Sequence, residues 1–238
     1  MKEEPNILIV EDLEMDDLHV EIEKLNAEII ALENEKAEIE KTLSEFQVRH
    51  DRELGELLMK ILKHRKETLT NEAKQDKTKQ QEANEAQRDY EHYKSDYEIN
   101  RKKEIRQITD EQKQELKNKF REASKQCHPD IVNDVQKEQA SELFRSLKDA
   151  YDTNDLETVD AILDNLKQGI LIPKADFNEK AELKAQLSLL RCKRDDLAQT
   201  ITSLKSSETW QTIEKIQDWD MYFANRKKQL ENIWRTMK

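Results

Sequence analysis

The chain has 238 residues, of which 39% are charged and only 5% aromatic, with a formal net charge of −11; a typical globular chain carries about 25% charged residues, so the composition argues against one large compact core. Two glycines and three prolines are too few turn formers for an all-β sandwich or a turn-rich α/β enzyme. No run approaches the ~18 apolar residues of a membrane span, and the opening MKEEPNILIVEDLEMDD has no secretory pattern, which predicts a cytoplasmic, all-α, elongated chain.

In chain order, Ile7-Leu8-Ile9-Val10 is a short β-prone run after Pro5, and Ile170-Leu171-Ile172 lies between Gly169 and Pro173. The expectation is a minor two-stranded β pair of 7–10 with 170–172. Over residues 13–66 the apolar positions step by four and three: Leu18, Ile22, Leu25, Ile29, Leu32, then Ile39, Leu43 and Phe46. That is a heptad seam, with Lys36 and His50 on it as polar register marks and Leu54, Leu57, Leu58 and Ile61 resuming it. The charges of this helix read as a solvated face. Thr68 to Asn71 predicts a turn, with Thr70 or Asn71 capping the next helix. Residues 72–89 hold no apolar side chain larger than Ala and have little to bury. Tyr90, Tyr93 and Tyr97 then recur at helical spacing as a packing stripe, and the helix is expected to continue towards Gln107.

A different pattern follows. Thr109-Asp110-Glu111-Gln112 is a capping-box sequence that starts a helix. Its apolar face is Leu116, Phe120, Ala123 and Cys127, while Lys113, Lys117, Arg121 and Lys125 form a separate basic stripe, centred roughly 110° away on a helical wheel. Pro129 stops this helix and biases His128 to an extended backbone. Asn133 or Asp134 opens a second amphipathic helix with Ala140, Leu143, Phe144, Leu147, Ala150 and Tyr151 on its apolar face. The two pack antiparallel, and a shorter helix over 155–168 ends at Gly169. Towards the C-terminus, Leu183, Leu187, Leu190, Leu197, Ile201 and Leu204 form one heptad series. After Ser206-Ser207 come Ile213, Ile216, Phe223, Leu230, Trp234 and Met237, which predicts an antiparallel helical hairpin.

Charge is unevenly divided. Residues 1–60 hold 18 acidic and 7 basic residues, whereas 101–125 hold 9 basic and 5 acidic. The acidic total argues against nucleic-acid binding, but the local basic patch suits an acidic protein surface. Cys127 and Cys192 form no CxxC pair, so neither a disulfide scaffold nor a Cys-rich zinc site is expected. His128 with Asp130 as an acid–base pair, or with Cys127 as metal ligands, lacks a second ligand cluster or a Gly-rich loop. No enzymatic activity, metal or cofactor is expected.

The stretch LKNKFREASKQCHPDIVND…ASELFRSLKDAYDTND resembles the J-domain of DnaJ-like co-chaperones. The resemblance rests on His128-Pro129-Asp130 between two helices, on Phe120 eight residues before the histidine, and on the Ala140…Phe144…Leu147…Ala150-Tyr151 series. It covers about 60 residues. It implies docking on the ATPase domain of a DnaK-type heat-shock chaperone through the HPD loop and the basic helix, and stimulation of ATP hydrolysis. His128, Pro129 and Asp130 would be essential, with Arg121, Lys117, Lys113 and Lys125 as the basic contacts. Glu122 stands where the family usually has a second basic residue, and Ile131-Val132 replace its commoner Lys-Asn. Its usual first helix is not evident, Ile105 and Ile108 being the candidates to substitute for it. No Gly/Phe-rich linker or CxxCxGxG repeat is present, as in J-proteins that keep only the J-domain and attach their own client-selecting parts.

The expected organisation is a short strand and long coiled-coil helices over 1–107, a J-domain over 108–168, a linker with a short strand over 169–176, and a hairpin over 177–238. The expected partners are a DnaK-type chaperone and a client that the sequence does not name, with neither nucleic acid nor membrane. The heptads allow a homodimer, or a three-helix assembly within one chain. The rival reading is a coiled-coil scaffold whose J-like segment no longer stimulates a chaperone.

Overall fold

A computed structural model describes residues 7–172 and 180–237. Among the described residues there are eight α-helices and no strand. These are α1 (Ile7–Gln75), α2 (Gln80–Asn100), α3 (Asp110–Cys127), α4 (Lys137–Asp152), α5 (Leu156–Lys167), α6 (Lys180–Ser206), α7 (Glu208–Lys215) and α8 (Trp219–Met237). The expected β pair is not formed. Residues 7–10 open α1 as helix, and 170–172 spend their backbone groups on the turn before α4. Gln136 donates from Nε2 to the Ile170 carbonyl at 2.9 Å and accepts from the Ile172 amide at 2.8 Å, while the Asn133 amide donates to the Ile172 carbonyl at 3.0 Å. The rest of the expected linker, 173–176, and the start of the expected hairpin, 177–179, lie outside the described residues.

The chain divides into two compact units. The first joins residues up to Lys41 with Ile105–Ser207. Its centre is a bundle of α3, α4 and α5, which pack on one another pairwise. Thr109 caps α3 in a reciprocal capping box with Gln112, and Asn133 accepts from the Gln136 amide at 2.9 Å to start the single 3₁₀ turn Asp134–Gln136 that leads into α4. Asp155 caps α5, and Gly169 ends it at φ 76°, a left-handed backbone that glycine adopts without a Cβ penalty. The apolar faces of the three helices meet in one cluster that includes Leu116, Phe120, Leu147, Tyr151, Val159 and Leu163. Phe120 and Tyr151 stack with ring centroids 4.2 Å apart. Each fully buried large side chain there contributes about 1.5–3 kcal/mol.

Helix α1 reaches this cluster through Ala37. The segment before α3, with Ile105 and Ile108, is not helical; α2 stops at Asn100, short of the expected Gln107. Ile108 packs on the edge of the bundle, and Arg106 is tied to the α4–α5 corner by its amide to the Thr153 carbonyl and its carbonyl from Asn154 Nδ2. Helix α1 also lies over the α3–α4 pair, through Glu38 on α3 and Glu40 on α4. The α1 seam residues Ile22, Leu25 and Ile29 bury instead against Leu183, Leu187 and Leu190 of α6. Lys180 pairs with Glu14 and Lys205 with Glu35, so α6 runs parallel to α1.

The second unit joins Thr42–Glu104 with Glu208–Lys238. The turn expected at 68–71 falls later. Thr70 Oγ1 bonds back to the Lys66 carbonyl and Asn71 accepts from Lys74, so both are used inside α1, and Asp76 caps the next turn by accepting from the Thr78 amide. From there α2 returns antiparallel along α1, seated on the small residues Ala83 and Ala86. The tyrosine stripe packs on α1: Tyr93 and Tyr97 stack at 6.4 Å, and Lys66 lies 4.6 Å over the Tyr90 ring. Gly55 makes room for this, since a Cβ there would come within 2.6 Å of Tyr97 Cδ2. Further along, Phe46 meets Trp219, Tyr222 and Phe223 of α8 with centroids 5.3–5.9 Å apart, and Trp234 meets His64 edge-on; α8 thus follows α1 in parallel. The hairpin expected over 177–238 is corrected accordingly. The α6 seam buries on Ile22–Ile29 in the first unit and the α8 seam on the Phe46–Leu54 stretch in the second.

Candidate functional site

Helix α3 ends where Pro129 requires. His128 is its C-cap, with φ −64° and ψ 128°, the extended geometry that a following proline imposes. The loop then folds back on the histidine: the Ile131 amide donates to the His128 carbonyl at 3.1 Å, and the Asp130 amide donates to His128 Nδ1 at 3.2 Å. Because Nδ1 accepts, the proton of the neutral ring sits on Nε2. That nitrogen points at Glu33 Oε2 of α1, 2.6 Å away. Phe144 of α4 stands edge-on to the imidazole at 5.5 Å. His128 is 1% exposed.

Asp130 turns towards α6. Its Oδ2 accepts from Lys193 Nζ at 2.6 Å, and the same ammonium lies 3.0 Å from Glu33 Oε1. The HPD loop is thus closed into a four-residue cluster, His128–Glu33–Lys193–Asp130, built by α1, α6 and the loop that follows α3. Burial pushes the Glu33 carboxyl up, but His128, which donates to it, and the Lys193 ammonium outweigh this and hold the group below its ordinary value. Burial likewise lowers Lys193, and Asp130 and Glu33 more than reverse this, leaving the ammonium harder to deprotonate than a free lysine.

The basic stripe is engaged in the same way. Lys117 Nζ lies 2.9 Å from Glu38 Oε2, and Arg121 donates from Nε to Glu38 Oε1 at 2.8 Å with a second nitrogen at 2.5 Å. Between these contacts and the HPD loop, Ser124 Oγ donates to Asn34 Oδ1 at 2.8 Å, both residues buried. Lys113 pairs with Asp110 on its own helix, and Lys125 is exposed. On α4, Lys148 meets Glu40 of α1 at 2.7 Å, and Lys41 of α1 donates to the Tyr151 carbonyl and to Asn154 Oδ1.

Cys127, next to the loop, sits wholly inside the bundle core, where burial pushes its thiol up to about 12; a thiol so shifted is a packing group at neutral pH. Among the described residues, no group of three or more His, Cys, Asp or Glu side chains is arranged to hold a metal ion, and no helix is long and apolar enough to cross a membrane.

The structure therefore brings His128, Asp130, Lys117 and Arg121 onto one surface of the bundle, with Pro129 shaping the loop and Lys113 and Lys125 further along α3. It also places Glu33, Asn34, Glu38 and Lys193 on that surface, and the sequence reading singled out none of these. The α1 carboxylates were expected in solvent; three of them, Glu33, Glu38 and Glu40, bind α3, α4 and the HPD loop. Their signal in the sequence was the charge asymmetry, an acidic first quarter and a basic patch in one chain.

What fold and site define is a class: an all-helical protein that presents a histidine–proline–aspartate loop and a basic helix, both engaged by acidic groups of its own first helix. Comparison with protein-family models, with curated proteins and with solved structures finds no match to this chain.

Proposed function

We propose that residues 108–168 act as the J-domain of a co-chaperone, docking on the ATPase domain of a DnaK-type heat-shock chaperone and stimulating its ATP hydrolysis. The remaining helices then select a client or partner. The reading is carried by one observation: a proline-stiffened loop holds His128 and Asp130 in a fixed pose at the α3–α4 corner, beside Lys117 and Arg121 on the same bundle. Such a surface is preorganised for one acidic partner and loses little freedom on binding. The protein supplies no catalytic group of its own. It acts on the hydrolysis performed by its partner.

The test is single-turnover ATP hydrolysis by a DnaK-type chaperone in the presence of the full chain, of a form with Glu33 and Glu38 changed to Ala, and of each with His128→Gln. Stimulation that disappears with His128→Gln is the expected result. If neither the wild type nor the Glu33/Glu38 variant accelerates hydrolysis, the reading fails. The chain is then better described as a helical scaffold, the view that the internal pairing of His128 with Glu33 favours.

A further inference from the structure

We infer that α1 and α6 form an intramolecular cover over the HPD loop and basic stripe, so that the protein rests in a closed state and docks only when this pair of helices is displaced. The inference rests on the co-chaperone reading and assigns the regulation of that same surface. Three observations carry it.

First, the cover engages the docking groups themselves. Glu33 takes the His128 imidazole, Lys193 takes the Asp130 carboxylate, and Glu38 takes both Lys117 and Arg121. A DnaK-type partner would need an acidic surface to meet this stripe, and the acidic face of α1 already occupies it. A partner and α1 cannot hold Lys117, Arg121 and His128 at the same time.

Second, the cover has an apolar seam distinct from the bundle's core, although all of these helices belong to one compact unit. Its two helices are held to each other by an apolar seam, Ile22, Leu25 and Ile29 against Leu183, Leu187 and Leu190. The bundle beneath has its own core, to which α1 adds only Ala37. Separating the seam from the bundle leaves the α1–α6 seam whole and withdraws from the bundle the Ala37 contact and the Lys41 bonds to Tyr151 and Asn154.

Third, the contact between them is polar and incompletely packed. It consists of ion pairs and hydrogen bonds, and it leaves a cavity of about 200 Å³ bordered by Ala37, Phe120, Phe144 and Leu197. A second, open groove of about 540 Å³ runs between Ile30 of α1 and Arg121 and Lys125 of α3. Interfaces of this polar kind separate more readily than apolar ones.

The experiment compares the full chain with a cover-stripped variant, Glu33→Ala, Glu38→Ala and Lys193→Ala. Alanine keeps the helices, and none of the three residues belongs to the docking groups. Two readouts are taken. Diethyl pyrocarbonate, which carbethoxylates accessible imidazoles, is followed at His128 by peptide mass, with exposed His92 as internal reference; single-turnover ATP hydrolysis by a DnaK-type chaperone is followed in parallel. The expected result is His128 protected in the wild type and modified in the variant, with stimulation by the variant about tenfold greater at subsaturating concentration, as when a competent state is populated to about one tenth before release. His128→Gln in the stripped background should abolish it. Equal stimulation by wild type and stripped variant, both lost with His128→Gln, overturns the cover and leaves the co-chaperone reading intact. His128 equally protected in both forms also overturns the cover. Faster modification with no stimulation by either form overturns the co-chaperone reading, and the regulatory inference falls with it.

Discussion

Replacing Glu33 by Ala probes the contact on which the closed state depends. In the wild type the His128 Nε2–H has one acceptor, Glu33 Oε2 at 2.6 Å, in a site where the ring is 1% exposed. Removing that acceptor leaves a buried donor unpaired, which costs about 1–3 kcal/mol. Lys193 retains Asp130, and its side chain is 38% exposed, so the lost Glu33 pairing adds at most about 0.5 kcal/mol. Release of the carboxylate's own burial offsets part of this, for a net loss of about 1.5–2 kcal/mol. Glu33→Gln keeps a carbonyl oxygen for the imidazole and should lose only about 0.5–1 kcal/mol.

Urea unfolding followed by helical circular dichroism measures both variants, as a lower midpoint at unchanged slope. The pH dependence has a definite sign. The Glu33 carboxyl is held below 4.5 in the folded chain, so its contribution is complete above about that pH and is lost as pH falls through the depressed value. The Lys193 ammonium is held above 10.5, so its contribution is complete below that value and is lost as pH rises through the raised one. Glu33→Ala as stable as wild type, or Glu33→Gln as damaging as Glu33→Ala, would refute the argument that this hydrogen bond holds the loop.

Three other perturbations follow from the same structure. Gly55→Ala should destabilise the α1–α2 pairing despite alanine's helix propensity of about 1 kcal/mol, because its Cβ would overlap the Tyr97 ring; Gly55→Ala paired with Tyr97→Ala should recover part of the loss in thermal melts, and no recovery would disprove the clash. Asp51 accepts from Gln47, Tyr93 and Asn100, so Asp51→Ala should cost about 1–2 kcal/mol by leaving three half-buried donors without their acceptor, and a neutral result in denaturant titration would show that the network is dispensable. Asp152 is the opposite case: burial raises its carboxyl above the ordinary value despite Lys148 and Lys41. The charged form is therefore a cost above that raised value, relieved as pH falls through it, and Asp152→Asn should stabilise by up to about 1 kcal/mol at pH 7. A destabilised Asp152→Asn would contradict this.

Local chemistry was the legible part of the fold. Thr109 and Gln112 close the capping box that their spacing predicts, Pro129 ends α3 with His128 extended, and Gly169 takes the left-handed turn after α5. Each of these depends on neighbours within four residues. The break after α1 was misplaced because Thr70 and Asn71 are good caps only if their side chains are not already spent inside the helix, as they are here on Lys66 and Lys74. The run 7–10 has β propensity but no strand to pair with, since Gln136 takes the backbone of 170–172.

The site was half legible. His128, Asp130 and the basic stripe stand out from motif and spacing, whereas Glu33 lies 95 residues from His128 in sequence and Lys193 lies 63 from Asp130. A heptad pattern shows which face of α1 is apolar, but not which neighbour its acidic face will meet. The apolar seam chose α6, and that choice placed Glu33 and Lys193 over the loop and Glu38 over the basic stripe.

The most direct measurement is the rate of single-turnover ATP hydrolysis by a DnaK-type chaperone with the Glu33→Ala, Glu38→Ala, Lys193→Ala chain, with and without His128→Gln. Acceleration that depends on His128 is the predicted result. A rate equal to that of the chaperone alone, from a variant whose His128 is demonstrably accessible, would contradict the account.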